Sequence, residues 1–207
     1  MVNTFLVHSD YRQSAKNLDS RRLGKQRVEA YQILNLIQNI RLLSEKSGIL
    51  PSSNDFQQFV RDIKKWYSNM GVLYVLSDDK IIEYMGDKKD KLSPNQRFIK
   101  MGFCNHPAVE MWYGYEESLM EYIDAHIEEW IERGYKNTMK IYGVTSKVHP
   151  KWCSWRELHE NHKGALLQKE LDRLEKPWYQ HKDEFLSVEP FYDYIWVKNT
   201  EFYFKNE

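Results

Sequence analysis

Apolar residues recur along most of this chain at the three- and four-residue steps of a helix, and the pattern is most informative at Asp19–Glu29. Read as it stands, the stretch is Asp-Ser-Arg-Arg-Leu-Gly-Lys-Gln-Arg-Val-Glu. On a helix Asp19, Arg22, Gln26 and Glu29 share one face. The same steps continue through Ile33, Leu36/Ile37 and Ile40, the kind of stripe a helix buries. Leu23, Ala30 and Leu34 run beside it. A polar face thus becomes a core-facing one without a change of direction, so cations, an amide and carboxylates are aimed inward or into a cleft. Buried charge is costly unless paired.

The same reading gives the other elements. Residues 3–8 form a short apolar run, a strand or an extended segment, and Ser14 can cap the first helical region. A long helix is expected from about Asp19 to Ser44. Its weak point is Gly24, which costs about 1 kcal/mol relative to alanine but lets a ligand or another backbone come close. Residues 47–54 read as a loop and Asp55 to about Leu76 as a second helix, with Phe56, Phe59, Val60, Ile63, Trp66 and Tyr67 on one side. Asp87–Lys91 reads as a solvated turn. Asn105 is a candidate N-cap and Pro107 a first-turn residue for a helix of about six turns, which Gly134 closes. A last helix is expected from Trp155 to about Leu174, followed by aromatic stretches at 178–179 and 191–196. The aromatics of that tail either cover the core or stack on unpaired bases. The fold class expected is mainly α: a compact single-domain helical bundle with an extended N-terminal segment and a helical insertion at 47–98.

With 207 residues, 42% hydrophobic and 14% aromatic, the composition is that of a globular chain. No apolar run approaches the roughly 18 residues a membrane helix needs, and no basic leader precedes a long apolar core. A cytoplasmic protein without a membrane partner is the expectation. Cys104 and Cys153 form no CxxC pair, which favours free thiols in a reducing compartment. Net charge is zero but unevenly spread. Residues 1–48 carry eight basic side chains against four acidic ones, whereas Asn105–Gly134 holds eight carboxylates and one Arg133. A basic face backed by an acidic helix is compatible with phosphate binding on one side, and equally with an ordinary solvated surface.

Two explanations of the inward polar stripe stay open. One is a structural ion-pair network joining Asp19 to Arg22, and Glu29 to Lys25 or Arg22. The other is a site where a carboxylate does acid/base work beside cations that hold an anion such as phosphate. His106 lies at a helix N-terminus, where a neutral imidazole is favoured. His159 and His162 lie three apart on one helical face, a spacing able to hold a metal. No third ligand accompanies them, so no metal is expected, and phosphate contact or packing is the alternative.

Three stretches together resemble the pyrimidine-dimer DNA glycosylase family, in its longer, endonuclease V-like branch. They are Leu18-Asp19-x-x-Arg22-Leu23-Gly24-Lys25-Gln26-Arg27-Val28-Glu29, Asn105-His106-Pro107-Ala108-Val109-x-x-Trp112, and His159-x-x-His162-Lys163-x-Ala165-Leu166-Leu167. The resemblance implies a bifunctional glycosylase and abasic-site lyase that needs no cofactor. Its implied partner is double-stranded DNA containing a damaged or modified base. An amine would attack the anomeric carbon and form a Schiff base while a helix-borne carboxylate assists. An α-amine, with a pKa of about 7.7–8.0, is suited to that task.

On this chain Glu29 is the expected catalytic carboxylate, with Asp19 in reserve. The amine is that of Val2 after loss of Met1 or, if Met1 stays, its own amine or Lys25 in the same cluster. Arg21, Arg22, Gln26, Arg27, Asn105, His106, His159, His162 and Lys163 are the expected DNA-binding residues. A DNA-binding module without catalysis, and a helical protein-interaction domain, are the competing functions.

Overall fold

The structure is a computed structural model. It describes residues 4–51, 55–77, 80–87, 89, 91–94, 96–171, 188–189 and 194–198. Val2, and the aromatics Trp178, Tyr179, Phe191 and Tyr192, lie outside the described residues. Among those described, the helices in order are α1 (Tyr11–Lys16), α2 (Ser20–Ser47), α3 (Phe56–Asn69), α4 (Pro107–Trp112), α5 (Glu116–Glu132) and α6 (Arg156–Leu171). Between α3 and α4 lie three short strands, and a 3₁₀ turn at Lys151–Ser154 precedes α6. The fold is mainly α, and no described helix is long and apolar enough to cross a membrane.

Among the described residues the chain forms two compact units, 4–34 with 114–198, and 35–113. The first unit packs the extended N-terminal segment against helices. Phe5, Val7, Ala15, Leu18, Leu23, Leu166 and Leu167 make a buried cluster, with Trp130, Val188 and Tyr194 against its edge. Tyr194 thus covers core, one of the two uses expected of the aromatic tail. Helix α1 is capped by Asp10, whose carboxylate accepts from Gln13 N–H at 2.8 Å. Ser14, expected as that cap, lies inside α1. Its hydroxyl accepts from His8 N–H and donates to His8 C=O, both at 2.9 Å. The C-terminal end of α1 is closed by Arg133, which donates to the carbonyls of Ala15, Lys16 and Leu18.

The acidic character of α5 has a structural use. Asp124 accepts from the backbone N–H groups of Tyr142 and Gly143, the latter at 2.7 Å, and Glu121 accepts from Ser146 N–H at 3.0 Å. Carboxylates that read as a solvated face in sequence therefore pin the loop over 137–150, where free amides need acceptors. Helix α5 ends as expected at Gly134, with φ of 84°; Gly134 N–H bonds Ile131 C=O and Tyr135 N–H bonds Trp130 C=O. Those two bonds satisfy otherwise open carbonyls. The predicted six-turn helix from Asn105 is instead two helices. Gly114, at φ of 91°, breaks the run between α4 and α5, a conformation open to glycine without strain.

In the second unit, α3 starts on the Asp55 cap and buries Phe56, Phe59, Val60 and Ile63. The predicted continuation to Leu76 fails. The helix stops at Asn69, Gly71 takes φ of 65°, and Leu73–Ser77 becomes strand β1. β1 pairs antiparallel with β2 (Lys80–Tyr84) and β3 (Gln96–Phe98) in the order β2-β1-β3. The segment 47–98 is therefore mixed helix and sheet, not helical alone. Leu73, Tyr74, Val75 and Leu76 continue an apolar run whose period does not separate a strand from a buried helical turn.

Gly24 has a packing role. A Cβ there would lie 3.1 Å from Cζ3 of Trp130. The indole is held by stacking on Tyr135 at 4.1 Å, by Arg27 over its face and by a bond from its N–H to Lys136 C=O. The close neighbour is thus a side chain of the protein itself, where the sequence suggested a ligand or a backbone. Overpacking costs about 1–3 kcal/mol, which outweighs the roughly 1 kcal/mol alanine gains in helix propensity. Gly24→Ala is therefore expected to lower stability by about 1 kcal/mol in urea denaturation, and Trp130→Leu in the same chain to remove that penalty.

Candidate active site

The polar stripe of α2 is buried as its spacing requires. Gln26 is 1% exposed, while Ile33, Ile37 and Ile40 further along the same face are fully buried. At its start Asp19 caps the helix, its Oδ1 accepting from Arg21 N–H at 2.8 Å and Arg22 N–H at 3.1 Å. Burial pushes the Asp19 carboxyl up, against the pull of those N–H groups and of the Arg22 charge. The Arg22 Nε lies 3.9 Å from Asp19 Oδ2, so the ion pair expected between them is long.

Gln26 uses both ends of its amide. Its carbonyl oxygen accepts from Phe5 N–H at 2.7 Å and from the Tyr122 hydroxyl at 2.9 Å. Its NH₂ group donates to Glu29 Oε2 at 3.1 Å. Tyr122, on α5, also reaches Phe5 C=O at 3.0 Å. From α6, His162 Nδ1 accepts from Leu6 N–H at 2.8 Å. Three helices therefore grip the backbone of Phe5 and Leu6 through three buried side chains, and one of those side chains also holds Glu29. An N-terminal segment without a sheet partner among the described residues needs such acceptors, since buried N–H groups left unpaired are costly.

The electrostatics follow from burial. His162 is pushed down to about 3 and stays neutral, which lets Nδ1 accept from Leu6. Tyr122 is held well above the ordinary phenol value, first by desolvation and then by the Glu29 charge. It remains a hydroxyl donor. His126 sits one turn further along α5, its ring 4.0 Å from that of Tyr122, and is pushed down to about 4 by burial. Glu29 itself is only half-buried. Its carboxylate is anchored by the Gln26 amide at Oε2.

The remaining expected site residues divide by environment. Arg21 and Lys25 are exposed on the first turns of α2, and Arg22 is partly buried. Arg27 is turned away from that face, over Trp130 at 4.0 Å and bonded to Asn137 Oδ1 at 3.3 Å. His159 donates from Nε2 to Cys153 C=O at 2.9 Å, and Lys163 is half-buried on the next turn of α6. His162 faces the core at 1% exposure, so packing, not phosphate contact, is its use. Asn105 and His106 belong to the second unit. His106, not Asn105, caps α4, accepting from Ala108 N–H at 3.2 Å, and burial lowers its pKa. Asn105 donates to Gln57 and accepts from Lys64. Val2 lies outside the described residues.

A family model described as pyrimidine dimer DNA glycosylase matches residues 2–143. The chain belongs to that family. Within this glycosylase family match lie Asp19, Gln26, Glu29, Asn105, His106 and Tyr122, and it runs through the 47–98 segment. It ends before α6, so His162 grips Leu6 from outside the matched region. Comparison with curated proteins and with solved structures gave no match.

In sequence His162 leaves phosphate contact and packing both open and Tyr122 is one of the apolar positions of a helix face, so neither shows the backbone it holds. Each is more than a hundred residues from the backbone it holds. Their burial sets a pH dependence. His162 and His126 take up protons in the unfolded chain near pH 6.5 but in the folded one only near 3 and 4. Their contribution is complete above about pH 6.5 and is lost as pH falls towards those lower values. Stability is expected to drop by about 1–1.5 kcal/mol for each histidine between pH 7 and 5.5. His126→Phe should flatten the slope measured by urea denaturation over that range.

Proposed function

We propose that this member of the family is a DNA N-glycosylase with abasic-site lyase activity, acting on a damaged or modified pyrimidine in duplex DNA. An amine attacks the anomeric carbon, the N-glycosidic bond breaks with departure of the base, and a Schiff base links protein to sugar. Loss of a proton from the neighbouring sugar carbon then expels the 3′ phosphate by β-elimination. Glu29 moves the protons and balances the cationic sugar, with Asp19 in reserve. Arg21, Arg22 and Lys25 hold phosphates, with further contacts from Asn105, His106, His159 and Lys163.

The observation that carries this reading is the Gln26 amide, which joins Phe5 N–H to the Glu29 carboxylate through one side chain. Three residues of chain reach at most about 10 Å. By chain length alone an amine at Val2 would lie within that reach of the Phe5 amide, and Lys25 stands one residue before Gln26 on the same helix. A buried amide and phenol spent on positioning a segment next to a half-buried carboxylate is an arrangement suited to proton transfer.

Borohydride trapping on a duplex with one abasic site tests the mechanism. The wild-type protein is expected to give a covalent adduct and strand incision. Glu29→Gln should lower single-turnover incision by about 10²-fold or more, within the range general acid–base groups supply, with duplex affinity changed only a few-fold. Peptide mapping of the trapped adduct then assigns the amine to the N-terminal segment or to Lys25. Absence of both adduct and incision would contradict the lyase mechanism.

A further inference from the structure

The turn ahead of α4 carries an exposed ring on an unusual backbone. Phe103 is the sole non-glycine residue among those described with positive φ, at 62°. Its side chain is 73% exposed. A bulky residue in that region is a genuine outlier, and such conformations persist only where the surroundings hold them. They do so here. Phe103 C=O accepts from His106 N–H at 2.9 Å, and the buried Cys104 thiol donates to Met101 C=O at 2.8 Å. Asn105 is tied to Gln57 at 3.1 Å and to Lys64 at 3.4 Å. The turn is braced from below while the ring above it is left in water. At the preceding Gly102 nothing beyond its chain neighbours lies within 4 Å of where a Cβ would be.

We propose that Phe103 is a wedge that enters the base stack of duplex DNA and unstacks the step it enters. The inference rests on the DNA-acting reading above and adds to it a residue that distorts the duplex. An apolar ring raised on a rigid turn is the device by which proteins kink a duplex, and extrusion of a target nucleotide needs the stack to be opened. Lys64, bonded to Asn105 in the turn, and the exposed Lys100, three residues before Phe103, supply cations for the flanking phosphates. A protein partner fits the surface less well. One ring bordered by lysines and glycine is far below the roughly 1,200 Å² a stable protein interface buries. It is also no contiguous apolar patch.

The test compares wild-type protein with Phe103→Ala and Phe103→Gly on two duplexes. One carries 2-aminopurine as a reporter of unstacking. The other carries a single cyclobutane thymine dimer, either paired or opposite a gap. Wild-type protein is expected to raise 2-aminopurine fluorescence several-fold at saturation. Both variants should bind within about threefold of wild type at matched salt but lose that rise. Single-turnover excision should fall at least tenfold on the paired dimer and recover to within about threefold opposite the gap, where stacking is already broken.

Phe103→Gly should also melt above wild type, because glycine relieves the positive φ. Unchanged fluorescence and rate in the variants overturn the wedge, as does an equal loss on paired and gapped dimers. A change in self-association with fluorescence intact assigns the ring to a protein contact instead and also overturns it. Failure of the wild-type protein to bind duplex or excise a base removes the parent reading and the wedge with it. Loss of the wedge alone leaves wild-type excision in place.

Discussion

One buried carboxamide holds the first unit's polar centre together. Gln26 presents an acceptor to the backbone of Phe5 and to Tyr122, and a donor to Glu29. An amide is the side chain suited to this, because it donates and accepts through opposite ends and carries no charge to desolvate. Glutamate in its place would accept twice but could not donate to Glu29, and would put two carboxylates side by side. Lysine would leave Phe5 N–H without its acceptor. The extended N-terminal segment has no strand to pair with among the described residues, so the amides of Phe5 and Leu6 depend on Gln26 and His162.

Around that centre, the chain's charges do two kinds of work. Those facing the interior are tied to backbone: Asp19 to the first N–H groups of α2, Asp124 to a loop, Arg133 to the last carbonyls of α1. Each such bond is charge-assisted and satisfies groups that helix ends and loops leave open. Those facing water, Arg21 and Lys25, stay exposed on the first turns of α2, the helix that carries the half-buried Glu29. Structural and functional readings of the stripe are therefore not exclusive along its length. Asp19 serves the helix, Gln26 serves the segment it grips, and Glu29 is the carboxylate left partly accessible.

Periodicity carried the long helix, its buried face and its polar opening, because α2 obeys one period over seven turns. It also carried the Gly134 terminus. It did not carry the sheet, where Leu73–Leu76 prolongs the apolar run of α3 and only Gly71 marks the change. Nor did it show the break at Gly114, since Trp112, Tyr115 and Leu119 keep helical spacing across it. The partners of the N-terminal segment were hidden for a different reason. Tyr122 and His162 meet Phe5 and Leu6 only through tertiary packing, and a histidine three residues from another looks the same in sequence whether it faces phosphate or a backbone amide. The strained turn at Phe103 likewise leaves no mark in composition, because positive φ at an aromatic residue is imposed by the bonds around it.

The account stands on the grip that α2, α5 and α6 exert on the start of the chain beside Glu29. Amide hydrogen exchange at Phe5 and Leu6 reads that grip most directly. Both amides are predicted to exchange only as slowly as the core of α2 opens, and Gln26→Ala is predicted to release Phe5 selectively while α2 itself stays protected. Exchange of Phe5 and Leu6 at the rate of a frayed terminus in the wild-type protein would contradict it.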